Sequence, residues 1–115
     1  MSRVKGGPAS HRKHKKVLKL AKGYRMTRSR LFGSAQEAVL HAGEYAFAGR
    51  KDKKNDFRRL WISRINSALR PHSIKYNIFI KKLTDKKIGL DRKILAKLAI
   101  EQPQIFSKIV EEVKK

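Results

Sequence analysis

Apolar positions along this chain recur at three- and four-residue spacings and nowhere alternate with period two, so the pattern predicts helices and no sheet. The longest candidate is the stretch 31–70, which no proline interrupts. Leu31, Ala35, Ala38, Ala42 and Tyr45 share one helical face of it. Phe57, Leu60, Trp61, Ile65 and Ala68 form a second stripe. Between the stripes, residues 50–56 hold four basic and two acidic side chains and no apolar one. A helix polar all round has no core to pack on, so it is solvated, bound to something polar, or not a stable helix. Two readings follow. One is an unbroken helix of about 60 Å, with a small domain near its C-terminal end and a polyanion along the rest. The other is two helices joined by a charged loop at 49–55. Gly43 and Gly49 each cost roughly 1 kcal/mol relative to Ala in a helix, and they keep both readings open.

The flanking segments are shorter. Residues 1–10 carry Gly6, Gly7 and Pro8 and are expected to be irregular, and disordered without a partner. Residues 11–22 form a short basic helix with Ser10 as N-cap and Gly23 just past its end. Its apolar face is only Val17, Leu18 and Ala21, so it is marginal alone and expected to order when phosphates relieve its self-repulsion. Residues 23–30 form a bend or junction. Pro71-His72-Ser73 ends the long stretch. Three short helices then follow. The first, 74–83, presents Tyr76, Phe79, Ile80 and Leu83. The second is capped by Asp91 and presents Ile94, Leu95, Leu98 and Ala99. The third has Pro103 at its first position and presents Ile105, Phe106, Ile109, Val110 and Val113. With Trp61, Ile62, Ile65 and Leu69 these faces close one small core, built from about 57 residues and near the lower limit for independent folding. Arg64 falls on the apolar side, where its stem packs while its head escapes, or where it meets a polar partner. The fold class is all-α: a long basic N-terminal helical extension, 1–56, and a small C-terminal helical domain, 57–115.

Charge sharpens this picture. The chain has 30 Lys and Arg against 9 Asp and Glu, a net +21. Such a charge repels itself in a compact state and calls for a polyanionic partner. Residues 1–36 hold eleven cations and no acid, while residues 60–115 hold thirteen cations and five acids. Nucleic acid is favoured over a membrane surface, because the basic arm lacks a broad apolar face. No stretch is long and apolar enough for a transmembrane helix or a secretory signal. The basic start overlaps in composition with an organelle transit peptide, but its charge density exceeds what targeting needs.

The candidate contacts follow from this charge. In the arm they are Arg3, Lys5, His11, Arg12, Lys13, His14, Lys15, Lys16, Lys19, Lys22, Arg25, Arg28 and Arg30. Tyr24, set among cations, either stacks on a base or packs on Leu20 or Leu31. Arg50, Lys51, Lys53 and Lys54 come from the polar middle. Arg59, Ser63, Asn66 and Arg70 share one helical face, with Arg58 and Arg64 beside them in sequence.

Catalytic chemistry is not expected. There is no cysteine, no phosphate-binding glycine loop and no nucleophile setting. His11 and His14 at i, i+3 lack a third ligand and sit among cations, so neither a metal nor a cofactor is expected.

A family resemblance is carried by Ser2-Arg-Val-Lys-Gly6, His14-Lys-Lys-Val-Leu-Lys-Leu-Ala-Lys-Gly-Tyr24, Ser29-Arg-Leu-Phe32 and Ala42-Gly-Glu-Tyr-Ala46. It continues in Asp56-Phe-Arg-Arg-Leu-Trp-Ile62, Arg64-Ile-Asn66, Phe79-Ile80 and Asp91-Arg-Lys-Ile-Leu-Ala96. Over nearly its whole length the chain resembles the bacterial and organellar large-subunit ribosomal protein number twenty. Phe47-Ala48-Gly49 and Asp52 stand where that family usually has a dense basic run, and Pro71-His72-Ser73 where a Gln-Asn-Gly-like turn is common. The resemblance implies a helical extension threaded into large-subunit ribosomal RNA, a small domain bound on that RNA, and an early role in subunit assembly. It implies neighbouring large-subunit proteins as partners and the ribosome as location, in a bacterial cytoplasm or in an organelle matrix or stroma. Some members also repress their own operon by binding its messenger. No membrane and no homo-oligomer are expected. The alternative is a basic architectural protein that compacts DNA or RNA without preference.

Overall fold

The computed structural model describes residues 2, 3 and 5–115. Its elements are α1 (Gly7–Leu20), a 3₁₀ turn at Met26–Ser29, α2 (Phe32–Leu69), a 3₁₀ turn at Arg70–His72, α3 (Tyr76–Asp85), α4 (Arg92–Glu101) and α5 (Pro103–Lys114). The described residues contain no strand, and the protein is all-α. Contacts divide the chain into two compact units between Lys51 and Asp52, with α2 contributing to both.

In the first unit, α1 begins at Gly7 rather than at His11, so part of the segment expected to be irregular is helical. Met1 and Val4, which that expectation covered, lie outside the described residues. The reason is Pro8 in the first turn. A proline there loses nothing, because its missing N–H would have no intrahelical partner, and its fixed φ is already helical. Gly6 caps the helix at φ 114, a conformation glycine adopts without penalty. Ser10 is therefore inside the helix, its N–H donating to the Gly6 carbonyl at 3.0 Å. The helix ends at Leu20, and Gly23 takes the left-handed conformation (φ 90) that turns the chain. No residue of α1 is fully buried. Val17 and Leu18 are half-buried, while Ala21 just beyond the helix and Ala35 on α2 are fully buried. The His14 ring stacks on Phe32 with centroids 3.9 Å apart.

Helix α2 is unbroken over 38 residues, so the reading with a charged loop at 49–55 is set aside. Every residue from 40 to 60 is exposed. Burial therefore does not hold this part; local pairs and intrinsic propensity do. Lys51 Nζ lies 4.4 Å from the Phe47 ring centroid, Lys53 Nζ 5.8 Å from that of Phe57, and Arg59 reaches Asp56 at 3.6 Å. Pairs at these spacings each add a few tenths of a kcal/mol. No proline intervenes, and Ala, Lys and Arg favour the helix.

The second unit closes around Ile65, Leu69, Phe79, Leu83, Leu95, Ala96, Phe106, Val110 and Val113, with Trp61 and Ile80 among the half-buried residues packed against them. Phe79 and Phe106 meet at 6.0 Å and 50°. Three stops shape it. Ser73 at φ 55 ends the turn after α2. The Asp91 carboxylate accepts from the Ile94 N–H at 2.7 Å and caps α4. Gln102 alone separates α4 from α5, and at φ −139 and ψ 66 its backbone has left the α region that the residue before proline avoids.

The buried faces differ in detail from those expected. Phe57 and Leu60 remain 44% and 42% exposed, because they precede the part of α2 that the domain covers. On α4, Ala96 is buried while Ile94 is 46% exposed, so the face in contact is turned by about one position from the expected one. Tyr76 Oη accepts from Arg92 Nε at 2.9 Å and ties the start of α3 to α4. Lys82 and Lys86 donate to the Lys114 and Glu112 carbonyls, supplying cations to the open C-terminal end of α5.

Candidate nucleic-acid interface

The first unit presents cations and little else. Arg12, Lys13, Lys15, Lys16 and Lys19 on α1 are all exposed, as are Arg3, Lys5 and His11 before and within it, and Lys22, Arg25, Arg28 and Arg30 after it. Arg50 and Lys51 are exposed on α2. His14 is exposed overall, but the stack on Phe32 occupies one face of its ring, so its part in docking α1 is structural as well.

A cleft of about 760 Å³ lies in this unit between the chain at 23–28 and the first turns of α2. Tyr24, Arg25, Arg28, Glu37, His41 and Tyr45 are among the residues that line it. The 3₁₀ turn that forms one wall is unusual. Met26 holds φ 56, a left-handed backbone rare for a side chain of its kind, and its side chain is 82% exposed. The Ser29 hydroxyl donates to the Met26 carbonyl at 3.2 Å and fixes the turn. Tyr24 is half-buried in the cleft wall. Glu37, His41 and Tyr45 were not among the candidate contacts read from the sequence, where Tyr45 was placed on an apolar face. Their i, i+4, i+8 spacing was legible, but the wall opposite them depends on the turn.

In the second unit, Arg58, Arg59, Ser63, Arg64, Asn66 and Arg70 are all exposed on α2 or at its end. The apolar side of the same helix, at Ile65 and Leu69, is fully buried. Arg64 is exposed rather than packed. The sequence-based separation of Arg59, Ser63, Asn66 and Arg70 from the core side therefore matches the burial of this helix. Lys53 and Lys54 precede this face and are exposed.

Ion pairing leaves these cations available. Among the described residues, Arg59 is the one candidate cation within 4 Å of an acid, and its pair with Asp56 is formed by side chains 81% and 69% exposed. A pair so exposed contributes little and opens easily. The second unit's remaining ion pairs, Lys97 with Glu101 and Lys115 with Glu112, lie outside the candidate face. Hydrogen bonding and charge from Lys115 hold the Glu112 carboxyl below its ordinary value. No group of three His, Asp or Glu among the described residues could hold a metal ion. No described helix is long and apolar enough to cross a membrane. The arrangement suits charge neutralisation: mostly ammonium groups along α1, guanidinium forks beside an amide on the part of α2 that follows Lys54.

Comparison with known proteins agrees with the resemblance. The family model described as Ribosomal protein L20 matches residues 3–109. A protein of Thermomicrobium roseum named large ribosomal subunit protein bL20 is 50% identical over 111 residues, covering 96% of this chain and 95% of its own. Proteins of the same name from Methylibium petroleiphilum and a Bradyrhizobium species are 49% and 51% identical over 114 residues, covering 99% of this chain and 97% and 96% of theirs.

Proposed function

Since this chain belongs to the ribosomal protein L20 family, we propose that it binds large-subunit ribosomal RNA directly and supports early assembly of the subunit. It is a structural protein of the large ribosomal subunit, not an enzyme, and its place is the ribosome. The observation that carries direct RNA binding is α1, where five exposed cations have no acid within ion-pair reach among the described residues and no side chain is fully buried. A helix so charged gains most of its ordering free energy from a polyanion. Its Lys and Arg displace condensed counterions from phosphates, giving affinity that falls steeply with salt.

Residues 1–56 supply this sequence-tolerant term by threading between RNA segments. Residues 57–115 dock on the RNA through Arg59, Asn66 and Arg70, which fix register, since phosphate contacts position and base contacts specify. The same surfaces would engage a messenger that mimics the ribosomal site, which gives autogenous repression a physical basis. Neighbouring ribosomal proteins complete the set of partners.

The test is a competition titration of full-length protein at several salt concentrations. The competitors are a folded large-subunit ribosomal RNA fragment, an unrelated structured RNA and duplex DNA. A clear win for the ribosomal fragment supports the reading. Equal competition by all three would replace it with general polyanion compaction.

A further inference from the structure

Resting on the reading that this chain binds RNA, we propose that the cleft beside the 3₁₀ turn receives one unpaired guanine, read by the Glu37 carboxylate through the N1–H and N2 amino donors of the base. Glu37 is chemically out of place where it stands. It is the first acid of the chain, after eleven cations in residues 1–36. It lines the cleft with Arg25 and Arg28, yet among the described residues no cation is within ion-pair reach of it. It lies beyond the first turn of α2, where the helix dipole has faded and explains nothing. An exposed carboxylate so placed is held by water alone, and its two acceptor oxygens are open to a ligand's donors.

Guanine supplies those donors. It alone among the RNA bases offers two adjacent donors on its pairing edge. Adenine, cytosine and uracil each set a lone pair beside their donor, and a carboxylate repels it. The rest of the cleft suits a base pulled out of its stack. Tyr24 is half-buried in one wall. His41 and Tyr45, at i+4 and i+8 from Glu37, hold near-parallel rings with centroids 6.2 Å apart and planes 24° from each other. Unstacked RNA bases are received in this way, on aromatic faces and by hydrogen bonds to the pairing edge. Arg25 and Arg28 are exposed at the same cleft, where flanking phosphates would lie. The volume of about 760 Å³ falls inside the range of sites that enclose a small ligand. The left-handed backbone of Met26 is strain of the kind found at binding sites, and it shapes the turn that carries Arg28 and follows Arg25.

The experiment uses the full-length protein and uridine-rich single-stranded RNAs of equal length, each with one central guanine, inosine or adenine. Fluorescence anisotropy at moderate salt reads the affinities. Guanine is expected to bind about tenfold tighter than adenine, the scale of one bidentate base contact. Inosine, which keeps N1–H and lacks the N2 amino group, falls between. Glu37→Gln, a surface change with unaltered helicity by circular dichroism, is expected to reduce the preference below twofold, because its amide presents one acceptor and one donor. Equal binding of the three RNAs, or a guanine preference that Glu37→Gln retains, would overturn the proposal. The competition titration judges the RNA reading separately. Preference for ribosomal RNA without guanine discrimination sinks the cleft alone. Loss of that preference sinks the wider reading and leaves the cleft to the oligonucleotides.

Discussion

Replacing Arg12, Lys13, Lys15, Lys16 and Lys19 together by glutamine isolates the electrostatic contribution of α1. Glutamine has a helix propensity close to that of lysine, so the helix itself is spared. All five side chains are exposed, and no acid lies within ion-pair reach of them among the described residues, so neutralising them breaks no internal contact. If each neutralises one phosphate, the slope of log K against log salt falls by about 4, at 0.7 to 0.9 per contact. With that difference, a threefold rise in salt costs the wild-type protein about eighty times more affinity than the variant. The assay is filter binding to a folded large-subunit ribosomal RNA fragment, with an unrelated structured RNA as competitor, across a series of potassium chloride concentrations. The expected result is a shallower slope with the preference for the ribosomal fragment kept. A slope unchanged to within one unit refutes the placement of α1 on phosphates. A lost preference refutes the assignment of specificity to the second unit.

Arg59→Lys with Arg70→Lys keeps the charge and removes two planar forks; the salt slope should hold while preference for folded ribosomal RNA over unrelated RNA falls about tenfold, read by the same competition. Phe106→Ala removes a side chain only 2% exposed that meets Phe79; it should destabilise the second unit by about 3–5 kcal/mol, measured by urea unfolding followed through Trp61 fluorescence. Gly43→Ala and Gly49→Ala meet open space on α2; each should stabilise the helix by about 1 kcal/mol and slow nearby amide exchange about fivefold. Lys115→Gln should raise the Glu112 carboxyl from its lowered position toward the ordinary glutamate value in an NMR titration, with the charge of Lys86 still acting on it. The sign is fixed: a depressed carboxyl adds stability above its unfolded-state value and loses it as pH falls through the lowered one. Both side chains are largely exposed and screened by solvent, so the unfolding midpoint should not move measurably.

The helices and core of the second unit were legible because burial writes itself as spacing. Phe79 and Leu83 on α3, and Phe106, Val110 and Val113 on α5, recur every three or four residues, and Asp91 and Pro103 mark helix starts by chemistry that works in isolation. The first unit obeys other rules. Gly6-Gly7-Pro8 reads as a break, yet proline in a first turn is a helix start, and only the backbone decides between the two. The polar middle of α2 left no amphipathic signal, because nothing there is buried. Its continuity rests on local pairs such as Phe47 with Lys51, each too weak to announce a helix. The cleft was hidden for a third reason. It needs Met26 in a left-handed conformation that its side chain does not advertise.

The residue types themselves divide the work of the interface. Cations on α1 are mostly lysines, compact charges on flexible stems that satisfy many phosphate geometries. Cations on the part of α2 within the second unit that follows Lys54 are arginines only, and Arg64 stands beside Asn66 on the stretch that the buried core backs. A guanidinium fork gains from being held still, and Ile65 and Leu69 hold that helix still. An ammonium gains little from rigidity, and α1, with no residue fully buried, offers little. Side-chain chemistry and local packing thus vary together along the chain, which is what a protein needs if charge is to bring it to RNA and geometry is to choose where it stays.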